Sequence, residues 1–325
     1  MYNHESKEGV SLSEKKRAFM HFSKKIVEVI GVPSDLGANV QGANMGPSEI
    51  RNAQLHEKIE ALSYSVIDDG DIKVPLRHQL LKKEHERKFL HNIAEVCSLL
   101  SKKVEGVLSQ RRIPLVLGGD HSSAIGSISG VSSWCKKNEK KMGLIWIDAH
   151  TDINTPETTT SGNIHGMPLA VLLGEGFKQL TSIAYDGVKI EAKRTALIGI
   201  RSVDEKEKEI CRKLGICIYT MREIDERGMK TIMDEVQSII IAPSDVVHVS
   251  FDLDSVDPQY APGVSTPVPG GLSYREAHLA LEMIADTGKL SSIDMMELNP
   301  ISDVNQKTAI LAVEFIQSLL GKNIF

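Results

Sequence analysis

The chain alternates short apolar runs with longer stretches in which apolar residues recur every three or four positions. Strand-like runs are Lys25–Ile30 (KIVEVI), Pro114–Leu117 (PLVL), Gly143–Ile147 (GLIWI), Thr195–Ile200 (TALIGI) and Val246–Phe251 (VVHVSF), with Ile293–Met296 as a weaker candidate. Helical patterns occupy Glu84–Leu108, Lys206–Leu214, Lys230–Ile239 and Tyr274–Ala285. β-branched runs alternating with helices predict βαβ units and a mostly parallel sheet covered on both faces, an α/β fold. Ligands in such sheets bind outside the carboxyl ends of the strands. The residues directly after each run are therefore the first place to look for chemistry.

Composition narrows the picture. The 325 residues show no Pro/Gly/Ser-rich linker and no abrupt change in character, so one large domain is expected, with 41% hydrophobic residues to fill its core. The net charge of −5 is spread along the chain without a basic stripe, which argues against a nucleic-acid partner. No apolar run approaches the roughly 18–20 residues that span a bilayer, so no membrane association is expected. Residues 1–25 are polar, of mixed charge, and lack the apolar middle of a secretory signal. They read as a loosely ordered extension preceding a domain over 26–325. Cys97, Cys135, Cys211 and Cys217 lack metal-type spacing and read as reduced thiols, with a cytoplasmic location as the default.

Three strand ends carry the chemistry. After PLVL comes Gly118-Gly119-Asp120-His121-Ser122; after GLIWI comes Asp148-Ala149-His150-Thr151-Asp152; after VVHVSF come Asp252-Leu253-Asp254. Strand side chains two apart point the same way, which groups Asp148, His150 and Asp152 on one side and pairs Asp252 with Asp254. His121 completes a set of four carboxylates and two imidazoles. Four converging aspartates repel one another, and two divalent cations would neutralise them. Oxygen-rich ligands with two imidazoles suit Mn2+ better than Zn2+. Taken singly, GGDHS also reads as a tight turn with a capping Asp, and a DxD as ordinary turn chemistry. Their conjunction at three strand ends points to a metal centre.

These motifs identify the chain as resembling the ureohydrolase family of arginases and agmatinases. The residues that carry the resemblance are GGDHS (118–122), DAHTDINTPETTTSGNIHG (148–166), SFDLDSVDP (250–258), Thr266-Pro267 with GGLSYRE (270–276), and MELNP (296–300). The likeness extends from about Ile26 to the C-terminus. It implies a single three-layer domain around a central parallel sheet of eight strands, with two Mn2+ ions. His121, Asp148, Asp152 and Asp252 match the ligands of one ion, and Asp148, His150, Asp252 and Asp254 those of the other.

A guanidinium is resonance-stabilised and a poor electrophile, so its hydrolysis needs a strong nucleophile held close. Two cations sharing a water would supply hydroxide at neutral pH. Asp152 is placed to orient it and to carry its proton toward the leaving nitrogen. His165 matches the family's proton donor to the leaving amine, although alone it reads as a surface or capping histidine. Glu297 follows a short apolar segment and matches the acid that holds the guanidinium through paired hydrogen bonds. The resemblance further implies that Asn154, Ser161 and Asn163 meet a substrate α-carboxylate. It places Asp204 at the α-amino group, Thr266 near the metals, and His150 facing the substrate. Asp204 alone also reads as the N-cap of the helix that follows.

The expected reaction is hydrolysis of L-arginine to L-ornithine and urea by a homo-oligomer, trimeric or hexameric. One departure bears on this: Arg201-Ser202-Val203-Asp204 has a serine where arginases usually carry an acid. Agmatine, guanidinobutyrate and formimidoylglutamate are the alternative substrates. A non-catalytic, metal-binding relative is the alternative outside catalysis.

Overall fold

The computed structural model describes residues 25–80 and 88–323. Eight parallel strands form one sheet: β1 (Ile26–Val32), β2 (Ser65–Asp71), β3 (Ile113–Gly118), β4 (Met142–Ile147), β5 (Thr195–Ile200), β6 (Cys217–Thr220), β7 (Val246–Asp252) and β8 (Leu290–Met296). Their order is β2-β1-β3-β8-β7-β4-β5-β6. The longer helices are α1 (Gly46–Asn52), α2 (Leu55–Glu60), α3 (Leu90–Ser109), α4 (Ala124–Lys137), α5 (Glu205–Leu214), α6 (Met221–Arg227), α7 (Met229–Val236), α8 (Tyr274–Asp286) and α9 (Lys307–Leu319).

Alternation along the strands feeds two cores. Val27 and Val29 of β1, with Ile145 and Ile147 of β4, pack beneath α1, α2 and α6 to α9. Ile30 and Val32 of β1, with Leu144 and Trp146 of β4, face α3, α4 and α5. The result is a three-layer α/β sandwich, as expected. The expected extension over residues 1–25 lies outside the described residues except for Lys25, as do residues 84–87 of the first expected helix.

Two strands were not anticipated, and both are edges. β2 (SVIDDGD) is largely exposed, and β6 is four residues long. An edge strand packs less of its surface than a central one, so its sequence carries a weaker apolar signal. The weakest candidate, by contrast, lies at the centre as β8. Two of its polar residues pair with β7: His248 Nδ1 lies 2.8 Å from Ser292 Oγ, and His248 Nε2 lies 3.0 Å from Asp294 Oδ2, while Asp294 Oδ1 has no partner among the described residues. α4 (AIGSISGVSSWCKK) lacks a clear apolar stripe because small residues let it press against α3. A Cβ on Gly126 or Gly130 would come within 2.7 Å of Cys97 O or 2.5 Å of Ser101 O.

Strands β3, β8, β7 and β4 are neighbours at the centre, and their carboxyl ends are level. Leu117 pairs with Met295, Phe251 with both Met295 and Ile147, and Asp252 with Met296. The segments after these four strands therefore meet at one rim.

Candidate metal and substrate site

At that rim a cavity of about 230 Å³ is lined by His150, Asp152, Asn154, His165, Ser202, Val203, Asp204, Glu207, Asp252, Asp254, Thr266 and Glu297. Its floor is built by one local device used three times. The aspartate leaving each strand accepts a hydrogen bond from the main-chain N–H two residues on: Ser122 to Asp120 at 2.9 Å, His150 to Asp148 at 2.7 Å, and Asp254 to Asp252 at 2.8 Å. These turns curl the chain over the strand ends. Asp148, His150 and Asp152 thus converge through a turn, not through continued strand alternation: β4 ends at Ile147, and Asp152 has a left-handed φ of 47°. The grouping was anticipated for the wrong local geometry.

Two clusters bring ligand atoms within 4.8 Å of one another: His121, Asp148 and Asp252, and then Asp148, His150 and Asp254. His121 Nδ1 lies 2.9 Å from Asp252 Oδ2, 3.1 Å from Asp148 Oδ2 and 3.4 Å from Asp152 Oδ2. His150 Nδ1 lies 3.2 Å from Asp254 Oδ2 and 3.5 Å from Asp148 Oδ1. Burial, followed by the like charges of Asp148 and Asp254 respectively, pushes Asp152 and Asp252 well above the usual carboxylate range. Burial would also raise Asp148, but His121 and His150 hold it low. The same acids outweigh burial to lift His121 to about 9 and His150 to about 12. Such an excess of buried negative charge, with oxygen and imidazole donors already converged, fits divalent metal.

Groups behind these side chains orient them. Ser250 Oγ meets His121 Nε2 at 2.9 Å, and Trp146 stacks on the His121 ring with centroids 4.0 Å apart. Trp146 Nε1 also donates to Asp148 Oδ2 at 2.9 Å. Thr266 Oγ1 donates to Asp254 Oδ2 at 2.8 Å. Ser250 and Trp146 carry no distinctive signal in the sequence, yet each lies two residues before a proposed ligand. Supporting groups of this kind fix the orientation and basicity of metal ligands.

Above this floor stands Glu297, only 1% exposed and held at a left-handed φ of 65°. Its Oε1 accepts from the His121 N–H at 2.9 Å and meets His165 Nδ1 at 3.0 Å. Its buried Oε2 has no hydrogen-bond partner among the described residues. Burial favours the neutral acid, but the His165 hydrogen bond and charge hold Glu297 below its ordinary value. Burial likewise opposes a charge on His165, and Glu297 outweighs it to raise that pKa.

The outer cavity carries the remaining expected residues unevenly. Asn154 Nδ2 reaches Asp204 Oδ2 at 3.5 Å, and both residues line the cavity. Asp204 also caps α5, where its N–H donates to Glu207 Oε2 at 2.9 Å. Ser161 is exposed, and Asn163 Oδ1 accepts from Lys88 Nζ at 3.3 Å; neither lines the cavity. Glu207 was not anticipated, because a helix-face glutamate has no distinctive sequence context.

The fold and rim together define an α/β protein with an acidic, imidazole-bearing metal-type centre beneath a small polar cavity. The chain belongs to the arginase family, whose model matches residues 25–321. It is 46% identical over 300 residues to the arginase of Bacillus subtilis strain 168, covering 92% of this chain and 99% of that one. The Bacillus caldovelox arginase structure superposes with a TM-score of 0.88 at 46% identity, covering 93% of this chain and all of that one. A proclavaminate amidino hydrolase from Streptomyces clavuligerus is more distant: TM-score 0.70 and 27% identity, over 92% of this chain and 91% of that one. The protein is accordingly a hydrolase of the arginase family, a family that implies a metal cofactor.

Proposed function

We propose that this protein hydrolyses L-arginine to L-ornithine and urea with two Mn2+ ions per subunit. The observation that carries the reading is the buried Oε2 of Glu297, unpartnered among the described residues, above two ligand clusters. A buried carboxylate oxygen without a donor is costly unless a cationic, hydrogen-bonding ligand completes it. A guanidinium is planar and does so.

His121, Asp148, Asp152 and Asp252 would hold one ion, and Asp148, His150, Asp252 and Asp254 the other. Metal bound there would supply hydroxide near neutral pH by lowering the pKa of water. The chain's own residues do the rest. Glu297 anchors the guanidinium through Oε2, and its Oε1 orients His165 and favours its charged form. Asp152, as the carboxylate, takes the proton released as water attacks the guanidinium carbon. His165 lines the same cavity and protonates the leaving amine. Asp204 takes the α-amino group. Asn154 takes the α-carboxylate, with Ser161 and Asn163 further along the same loop. His150 faces the guanidinium end. The arginase relatives support this choice of substrate. We further propose a cytoplasmic homo-oligomer, trimeric or hexameric; among the described residues no helix is long and apolar enough to cross a membrane.

The test is urea release by Mn2+-reconstituted protein offered L-arginine and agmatine in parallel. Urea from arginine supports the reading. Urea from agmatine alone would show that Ser202 marks a changed specificity, and no urea from any guanidino compound would favour a non-catalytic role.

A further inference from the structure

We propose that Arg201 is a positioning residue that presets Asp254, and through it one of the two metal positions. The inference rests on the binuclear reading above.

Arg201 follows β5 at the edge of the site, and its main-chain N–H is tied to Ala149 O at 2.9 Å, within the segment that bears Asp148 and His150. Each side-chain hydrogen bond it makes goes to a main-chain carbonyl. Nη2 donates to Asp254 O at 2.8 Å and Val268 O at 2.6 Å. Nη1 donates to Ser255 O at 2.9 Å and Gly199 O at 3.4 Å, and Nε to Val268 O at 3.2 Å. One guanidinium therefore joins the end of β5, the turn carrying Asp254, and the loop carrying Thr266. Thr266 in turn donates to Asp254 Oδ2.

The two acids of that turn are held differently. Asp252 still belongs to β7 and is fixed by the sheet, opposite Met296 of β8. Asp254 lies beyond the strand, in the short 3-10 turn Leu253–Ser255, where no strand ladder holds it. Its carboxylate is met by Thr266, by His150 and by the Ala149 N–H at 3.3 Å. Its main chain is held by its own N–H bond to Asp252, by the Leu272 N–H on Ser255 O and by the Arg201 clamp. Among the described residues that clamp is the one contact that ties both carbonyls of the turn to β5. Only a planar fork with five donors spans these carbonyls; an ammonium at the same place reaches fewer of them. The close approach of Gly271 belongs to the same construction, since a Cβ there would lie 2.6 Å from Arg201 Nη2. Arg201 thus serves the ion bound by Asp148, His150 and Asp254, while the His121–Asp252 position does not depend on it.

The experiment compares Mn2+ binding by wild type, Arg201→Lys and Arg201→Met. Metal content and titration calorimetry are read alongside the melting temperature of the chelator-stripped protein. Wild type is expected to bind two ions per chain. In both variants one ion should stay tight, while the affinity for the other falls by about 10–100-fold, as for other groups that orient metal ligands. Arg201→Lys should do so with little change in the metal-free melting temperature. Fewer than two ions on wild type would overturn the binuclear reading and this inference with it. Two ions on wild type, with both affinities unchanged or equally reduced in the variants, would overturn the role of Arg201 alone. So would failure of both variants to fold, which would make Arg201 a general folding residue.

Discussion

Glu297 Oε1 and His165 Nδ1 meet at 3.0 Å inside the cavity, and the same oxygen accepts the His121 N–H at 2.9 Å. One carboxylate therefore joins the proposed proton donor to a proposed metal ligand while leaving Oε2 for the substrate. The left-handed backbone of Glu297 is held by its own N–H, which donates to Gly119 O at 2.8 Å. Gly119 cannot be replaced: a Cβ there would lie 1.8 Å from Ser34 O. Strain at one residue and close backbone contact at another jointly aim this carboxylate.

Glu297→Gln keeps the shape of that side chain and removes its charge. It is expected to lower kcat/KM for urea release from arginine by at least about 30-fold, since charge-assisted hydrogen bonds contribute about 2–3 kcal/mol. Its melting temperature should stay close to wild type. Steady-state kinetics check this, and wild-type kcat/KM in the variant would remove Glu297 from the proposed mechanism.

Metal removal should destabilise the protein in a pH-dependent way. Asp152, Asp252 and Asp254 are raised by burial and then by neighbouring carboxylates, and the surrounding acids raise His121 and His150. In each case the metal-free folded chain binds more protons than the unfolded chain, so its stability falls as pH rises through the raised values. Asp148, held low, contributes no slope above its ordinary carboxylate range. Mn2+ replaces those protons, and at a hundredfold excess over Kd each ion adds about 2.7 kcal/mol. The Mn2+-induced rise in melting temperature should therefore be larger at pH 8 than at pH 6. Calorimetric scans with and without chelator would show it; an equal or smaller rise at pH 8 would contradict the assignment of these residues.

The thiols should be nearly inert in the folded protein. Burial pushes Cys97 and Cys135 up to about 12 and Cys211 up to about 11, and raises the half-buried Cys217. Reactivity requires the thiolate, so Ellman's reagent at pH 8 should modify at most Cys217, and slowly. All four cysteines should react after unfolding in guanidinium. Rapid modification of two or more in the native protein would contradict their burial.

How much of this was legible depended on where each residue sits. β5 (TALIGI) is buried throughout and reads plainly as a central strand, whereas β2 (SVIDDGD) lies at an edge and reads as loop. Helices with one apolar face, such as α8, were found within a residue at each end, while α4 hid behind its serines and glycines. Asp120 was visible in its motif but not its state: complete burial, then the charge of Glu297, raises it to about 6.

The sequence by itself determined the α/β class, the three acid-bearing strand ends and the identities of the ligand-type residues. Each of these is written in a few consecutive positions, where apolar runs meet aspartates and histidines. Only the tertiary structure decided that β3, β8, β7 and β4 are neighbours with level ends, that strand-end turns supply the convergence, and that Glu297 keeps a buried oxygen unpartnered among the described residues. The Arg201 clamp across three segments belongs to the same class of facts. Strand order, burial and long-range hydrogen bonds depend on residues tens to hundreds of positions apart, and no local pattern encodes which of them will meet.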